Sequence, residues 1–283
     1  MTHTRPSVTD KRRVFRRLHE SGCFVIPNPW DIGAARYLQS LGFKALATTS
    51  SGFAWSQGRP DNTVSRDAVL AHLRSMVAAT DVPINADFEN GFGRDAAGVA
   101  QSVRLAVDTG VAGLSIEDST GDAEHPLFDL DAAMERIRAA RAAIDQAGGD
   151  TLLVGRAECF LVGRADLDET IRRLKAYADA GADCLYAPGI RTREEIEAVV
   201  AAVAPSPVNL LVGAVAKMSV PEIAALGVRR ISVGGALARS AWGGFMRAAR
   251  LIAEEGRFDG FADAASGRDL DAFFRADLQQ SAA

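Results

Sequence analysis

The stretch Ile84-Asn85-Ala86-Asp87-Phe88-Glu89-Asn90-Gly91-Phe92-Gly93 carries two carboxylates at i and i+2. Its start is small and apolar, as a buried strand is, and residues two apart on an extended backbone point to one side. Asp87 and Glu89 would then face the same way at a strand end and repel each other unless a cation sits between them. Mg2+ suits such a place, because it takes oxygen ligands and keeps several waters. Mn2+ accepts the same donors. A solvated acidic turn ahead of the next helix is the other reading of the same residues. Gly91 and Gly93 permit tight turns and a close approach of backbone to ligand.

What would hold such a pair in place is a regular alternation of elements. Apolar strand-like segments at 23–26, 45–49, 82–86, 112–117, 152–156, 184–187, 208–212 and 230–233 alternate with helical patterns at 32–41, 65–79, 97–109, 130–147, 167–180, 192–203, 220–226 and 237–255. Gly42, Gly181 and Gly227 each end a helical pattern just before a strand, as a C-cap glycine does. Short connections predict parallel strands and an α/β fold of the (β/α)8 TIM-barrel type. The expectation is a single domain over residues 1–283, with a barrel core of about 20–255 and a helical extension at 256–283. An open doubly wound sheet would carry a phosphate-binding glycine fingerprint after the first strand, and Pro27-Asn28-Pro29-Trp30 is not one. Residues 50–53 read as a small-residue loop after the second strand.

Composition narrows the classes. Hydrophobic residues make up 48% of 283, enough for a large core, and the net charge of -4 argues against a nucleic-acid binder. No apolar run reaches membrane-spanning length, and the polar, basic residues 1–17 lack a signal-peptide core. Cys23, Cys159 and Cys184 show no paired spacing, which predicts reduced thiols and a cytoplasmic protein. The apolar spacing of Trp242, Phe245, Met246, Ala249 and Leu251 predicts a homo-oligomer in which the segment from Leu237 onward packs on a neighbour. The tail, with Phe258, Phe261, Leu270, Phe273 and Phe274, is too apolar to be free and is expected on the barrel or on another subunit.

A barrel of this type builds its site from the C-terminal ends of its strands. Those ends offer Thr49, Ser50, Ser51 and Gly52, with Asp61 beyond; Asp87 and Glu89; Glu117 and Asp118; Arg156 and Glu158; Tyr186 and Ala187; Asn209; Gly234 and Gly235. Acids with one arginine opposite suit a divalent cation together with a carboxylate, which a guanidinium grips through two parallel hydrogen bonds. Backbone N–H groups at Ser51 and Gly52 could receive an anion. An internal salt-bridge network around Arg156 is the alternative. The histidines His3, His19, His72 and His125 show no metal-ligand spacing. His19 and His72 are expected on exposed helix faces and His125 in a solvated loop after the fourth strand from which it could reach the barrel mouth, while Cys159, after the fifth strand, reads either as a residue of the site or as a buried thiol.

Taken as a set, Asn28-Pro29-Trp30-Asp31, Thr49-Ser50-Ser51-Gly52-Phe53, Gly58-Arg59-Pro60-Asp61, Asp87-Phe88-Glu89-Asn90-Gly91-Phe92-Gly93, Ile116-Glu117-Asp118 and Gly155-Arg156-Ala157-Glu158 resemble the isocitrate lyase/phosphoenolpyruvate mutase superfamily over roughly residues 20–255. The resemblance implies an α/β barrel with Mg2+ among Asp61, Asp87, Glu89 and Glu117, partly through water. It implies a 2-oxo acid or its enolate held by backbone at Ser51-Gly52-Phe53 and by Arg156. It also implies a tetramer that exchanges its eighth helix between subunits. Metal ligation is accordingly assigned to Asp87, Glu89 and Glu117. Substrate binding is assigned to Ser51, Gly52, Phe53, Arg156 and Asn209, and catalysis to Arg156, Glu117 and Asp61.

The departures are informative. Residues 119–128 contain no cysteine, whereas the lyase branches carry their general acid as a cysteine in that loop. Ala187 stands where those lyases have a glutamate, Glu89 where an aspartate is usual, and Ser119 where the phosphonate branch has a lysine. The expected activity is Mg2+-dependent C–C cleavage or decarboxylation of a small 2-oxo dicarboxylate through an enolate. The alternatives are phosphonopyruvate/phosphoenolpyruvate P–C chemistry or a non-catalytic 2-oxo acid binder. Residues 121–128 are expected to act as a lid.

Overall fold

Short apolar runs that follow glycine-ended helices become strands, and the amphipathic runs between them become helices. In a computed structural model, which describes residues 5–282, the strands are β1 (Phe24–Ile26), β2 (Leu46–Ala47), β3 (Ile84–Asp87), β4 (Gly113–Glu117), β5 (Leu152–Arg156), β6 (Cys184–Tyr186), β7 (Val208–Leu211) and β8 (Arg230–Ser232). All eight are joined as parallel neighbours in the order β1-β8-β7-β6-β5-β4-β3-β2. At the β1–β2 seam the Ala47 N–H donates to the Pro27 carbonyl at 3.0 Å. This is the nearly closed (β/α)8 barrel that the alternation predicts.

The helices are α1 (Val8–Glu20), α2 (Ile32–Ser40), α3 (Ser50–Ser56), α4 (Arg66–Ala79), α5 (Ala96–Val107), α6 (Leu130–Gln146), α7 (Leu167–Asp179), α8 (Arg193–Val203), α9 (Val220–Ala225), α10 (Ala236–Glu255) and α11 (Gly267–Ala282). Side-chain oxygens of Asp31, Ser65, Asp95, Asp166 and Thr192 cap α2, α4, α5, α7 and α8, satisfying first-turn N–H groups that have no partner within the helix. Ser50–Ser56 is a helix rather than the expected loop, because Thr49 supplies a side-chain cap to the Gly52 N–H.

Register aligns the polar residues. Glu117 pairs with Arg156, Arg156 with Tyr186, Tyr186 with Asn209, and Asn209 with Arg230. Paired residues on adjacent strands share a face, so one polar row crosses five consecutive strands inside the barrel.

Helix α1 has no counterpart among the helices expected from the barrel alternation. It stoppers the N-terminal end of the barrel with Phe15, which packs with Ile26, Ala45, Ala47, Ala112 and Leu152. Gly113 makes room for it, since a Cβ there would lie 2.6 Å from the Phe15 ring. His19, expected on an exposed face, is buried instead. Its Nδ1 lies 2.8 Å from the Phe15 carbonyl and its Nε2 3.4 Å from Arg230 Nη1. A carbonyl only accepts and a guanidinium only donates, so the ring is neutral, with its proton on Nδ1. Burial, then the Arg230 charge, pushes its pKa from the ordinary 6.5 down to about 3. The unfolded chain binds the extra proton between those values. The contribution to stability is therefore complete above about pH 6.5 and drains away as pH falls toward 3. Urea midpoints are expected to drop between pH 7 and 5, with a His19 share of at most about 1.4 kcal/mol per pH unit. His19→Gln should flatten that part of the slope; an unchanged slope would remove His19 as its source.

The C-terminal segments behave differently from one another. α11 docks on α2 through the Arg36–Asp277 ion pair and the Tyr37 and Phe273 rings, 5.4 Å apart, so this part of the tail packs on its own barrel. α10 buries only Ala238 among its residues and leaves Trp242, Phe245, Met246 and Ile252 exposed. Among the described residues no helix is long and apolar enough to cross a membrane.

Candidate active site

Arg156 ends β5 and gathers the acids. Its Nη1 donates to Asp87 Oδ1 at 3.2 Å and lies 3.1 Å from Glu117 Oε2, while its Nε donates to Glu158 Oε1. Nη2 makes no hydrogen bond among the described residues and so keeps two N–H groups for a ligand. The guanidinium lies over the Tyr186 ring, 5.1 Å from its centroid, a favourable cation–π arrangement. Asp87, at the end of β3, also fixes the neighbouring segment. Its Oδ2 accepts from the Ser50 N–H at 2.9 Å, and its own N–H donates to Thr48 Oγ1 at 2.9 Å.

The acids outnumber this cation, and their proton affinities register the excess. Burial, then Asp87 and Asp61, raises the Glu89 pKa from 4.5 to about 8. Burial also raises Glu117 and Glu158 in spite of Arg156. Asp61, at the solvent side, is raised by loss of water and then by Asp87.

Asp87 and Glu89 come together by a different route from the i, i+2 rule. β3 stops at Asp87, and Glu89 adopts φ 47°, a left-handed conformation uncommon outside glycine. Its carbonyl accepts the Glu117 N–H at 3.0 Å, tying this turn to the end of β4. Such strained residues cluster at functional sites.

The chamber below Arg156 has a volume of about 190 Å3 and is lined by Ser51, Asp61, Asp87, Arg156, Tyr186 and Arg230, among others. Gly52 and Phe53 stand back from it. Their N–H groups donate to Thr49 Oγ1 at 3.4 Å and to the Thr49 carbonyl at 3.1 Å, and the Phe53 ring stacks on His72 at 3.9 Å. His72 is thus held against α3 rather than on an exposed face, and its Nε2 is buried with no hydrogen-bond partner among the described residues. Asn209 is fully buried. Its Nδ2 donates to Ser232 Oγ at 2.9 Å and its Oδ1 accepts from Arg230 Nε at 2.8 Å, so it supports two chamber residues from behind. His125 is exposed, as a solvated loop residue is, and Cys159 is buried. His3 lies outside the described residues. Residues 119–128 are held at their base by the Ser119–Leu127 bridge and by Thr120 N–H donating to the Pro126 carbonyl at 3.1 Å.

Asp118, counted with the strand-end acids, does not join them. Its Oδ2 accepts from Arg173 Nη1 at 3.0 Å and from the Tyr177 hydroxyl at 2.6 Å, and its Oδ1 from the Glu158 N–H at 2.8 Å. Arg173 and Tyr177 sit one turn apart on α7. That spacing was the available signal for a carboxylate partner buried under the helix. The pairing of Arg230 with His19 had no signal of its own, because it depends on α1 closing the barrel floor.

Among the described residues no three His, Cys, Asp or Glu side chains are gathered as a ready metal shell. The donor chemistry nonetheless fits a hard cation. Asp61, Asp87, Glu89 and Glu117 offer only oxygen, and burial, then the nearby Asp87 and Asp61, raises the pKa of Glu89, an effect a divalent charge would oppose.

The family described as phosphoenolpyruvate phosphomutase matches residues 15–253. A crystal structure of a lyase/mutase candidate from Burkholderia cenocepacia J2315 is 50% identical, with a TM-score of 0.91, over 95% of this chain and 97% of that one. Oxaloacetate decarboxylase of Bradyrhizobium diazoefficiens is 31% identical over 188 residues, 64% of each chain. Oxaloacetate acetylhydrolase in complex with oxalate is 26% identical, with a TM-score of 0.84, over 98% of this chain and 99% of that one.

Proposed function

The chain belongs to the phosphoenolpyruvate phosphomutase family, within the isocitrate lyase/phosphoenolpyruvate mutase superfamily, and from that premise we propose that it is a Mg2+-dependent enzyme acting on a small 2-oxo dicarboxylate through an enolate, by C–C cleavage or decarboxylation. The observation that carries this reading is Arg156, ringed by Asp87, Glu117 and Glu158 at one barrel mouth with Nη2 free. Carbon–carbon lyases among the relatives, such as oxaloacetate decarboxylase, support it. Asp87, Glu89 and Glu117, with Asp61, would hold Mg2+ or Mn2+, which when bound acts as a Lewis acid toward a 2-oxo group.

The chain's own residues do the rest. Arg156 Nη2 grips a substrate carboxylate with charge-assisted hydrogen bonds. Ser51, on the chamber wall, orients the other end of a small diacid. Residues 121–128 would close over the mouth and exclude water. Turnover of oxaloacetate, phosphonopyruvate, methylisocitrate and dimethylmalate, with and without EDTA, tests the assignment. Oxaloacetate turnover lost on chelation is the expected result. Turnover of phosphonopyruvate alone would move the chemistry to the P–C bond, and binding without turnover would make the protein a 2-oxo acid sensor.

Two further expectations belong to this reading. Lysine at position 156 presents a point charge instead of a fork. Arg156→Lys should therefore raise KM for the 2-oxo acid by roughly ten- to a hundredfold, and an unchanged KM would place the carboxylate elsewhere. The exposed apolar face of α10 fits a homotetramer in which that helix packs on a neighbour. A monomer by light scattering at micromolar concentration would refute it.

A further inference from the structure

Beside the inner chamber lies a second cavity of about 670 Å3. It is formed by the ends of β6 and β7, the 212–218 segment before α9, and the start of α10. The two cavities share Ser51, Leu161, Leu211, Gly234 and Gly235 as wall, so they adjoin. Glycines keep this shared wall thin. A Cβ on Gly235 would lie 2.8 Å from Ser51 Oγ, and one on Gly234, at φ 53°, 3.1 Å from Leu211 Cδ1. The outer cavity is much larger than the inner one and falls within the roughly 300–1,000 Å3 of complete small-molecule sites.

Its chemistry differs from that of the inner chamber. The walls are largely apolar, with Ile190, Leu210, Val212 and Val233, and the charged residues on them are Arg191, Lys217 and Arg239, with no aspartate or glutamate. None of the three cations forms a direct ion pair among the described residues. The Glu195 carboxylate, near Arg191 in sequence, is turned to α8, where it accepts the Arg191 and Thr192 N–H groups at 2.7 and 3.0 Å. Arg239 is steadied by donating to the Gly213 carbonyl. An apolar cavity edged with unpaired cations complements an apolar chain that ends in an anion.

We infer that the outer cavity receives the distal arm of the substrate, an apolar chain ending in a carboxylate or another anionic group, while the 2-oxo acid head occupies the inner chamber. The inference rests on the proposed function for the position of the head. It extends the proposed substrate class from four-carbon diacids to 2-oxo acids with a longer arm.

The test is calorimetric binding to the full chain in Mg2+, using oxamate, a series of N-alkyloxamates and the matching N-(ω-carboxyalkyl)oxamates. At the best arm length the carboxyalkyl compound should bind about tenfold more tightly than its uncharged counterpart, and the latter more tightly than oxamate. The Lys217→Ala/Arg239→Ala double variant should erase the advantage of the carboxylate and leave oxamate binding unchanged, which also reports an intact fold. If arms of every length add nothing, as when a second subunit fills the cavity, the inference is overturned while the head site stands. It is equally overturned if the double variant weakens oxamate as much as the long compounds. Failure of oxamate itself to bind would remove the head site and the arm together.

Discussion

Asp87→Asn is expected to lower turnover of the 2-oxo acid by roughly a thousandfold and to abolish stabilisation by Mg2+ in a thermal-shift titration. The replacement keeps the shape of the side chain and leaves an oxygen to accept the Ser50 N–H, now 2.9 Å from Asp87 Oδ2, so the segment before α3 should stay in place. What is removed is one negative charge between Arg156 and the Glu89 carboxyl. With that charge gone, Arg156 turns more fully to Glu117 and Glu158, and a divalent ion loses a shared ligand. Wild-type turnover in Asp87→Asn, or full activity of EDTA-stripped wild type, would reduce the acidic cluster to scaffolding for Arg156.

Asp118→Ala is expected to cost about 3–5 kcal/mol of stability, because it strands buried partners. Arg173 would keep its charge under α7 with only Glu169 and the Phe128 carbonyl beside it, and the Tyr177 hydroxyl would lose its acceptor. The Glu158 N–H would lose its acceptor as well, loosening the backbone just after Arg156. Melting should fall by on the order of 10 °C, and residual activity at low temperature should fall too, since Glu158 helps aim the guanidinium. A melting temperature within about 2 °C of wild type would mean that water replaces the carboxylate and the network is not structural.

The barrel was legible because its signals are local. Helical spacing, capping residues and glycine stops repeat at each unit, and the predicted strands fall where the eight strands lie. The acids and Arg156 were legible because strand ends could be read in order. Their bonding was not. That Arg156 takes Asp87, Glu117 and Glu158 together while Asp118 turns to Arg173 and Tyr177 depends on register and on which face α7 presents. The burial of His19 and the helical form of residues 50–56 were missed for related reasons. The first depends on a contact with Arg230, more than two hundred residues away, and the second on one hydroxyl cap from Thr49.

The seam between β1 and β8 also sets a timetable for the nascent chain. Residues 24–26 leave the ribosome well before their hydrogen-bonded strand, residues 230–232. At typical elongation rates roughly ten to forty seconds separate the two. Throughout that interval the first strand has one unsatisfied edge, and His19 waits for Arg230. Loop closure over such a span is slow, and exposed edges in the interim invite wrong pairing. The first thirty residues should therefore be the segment most dependent on a chaperone during synthesis, and the last part of the barrel to gain protease resistance.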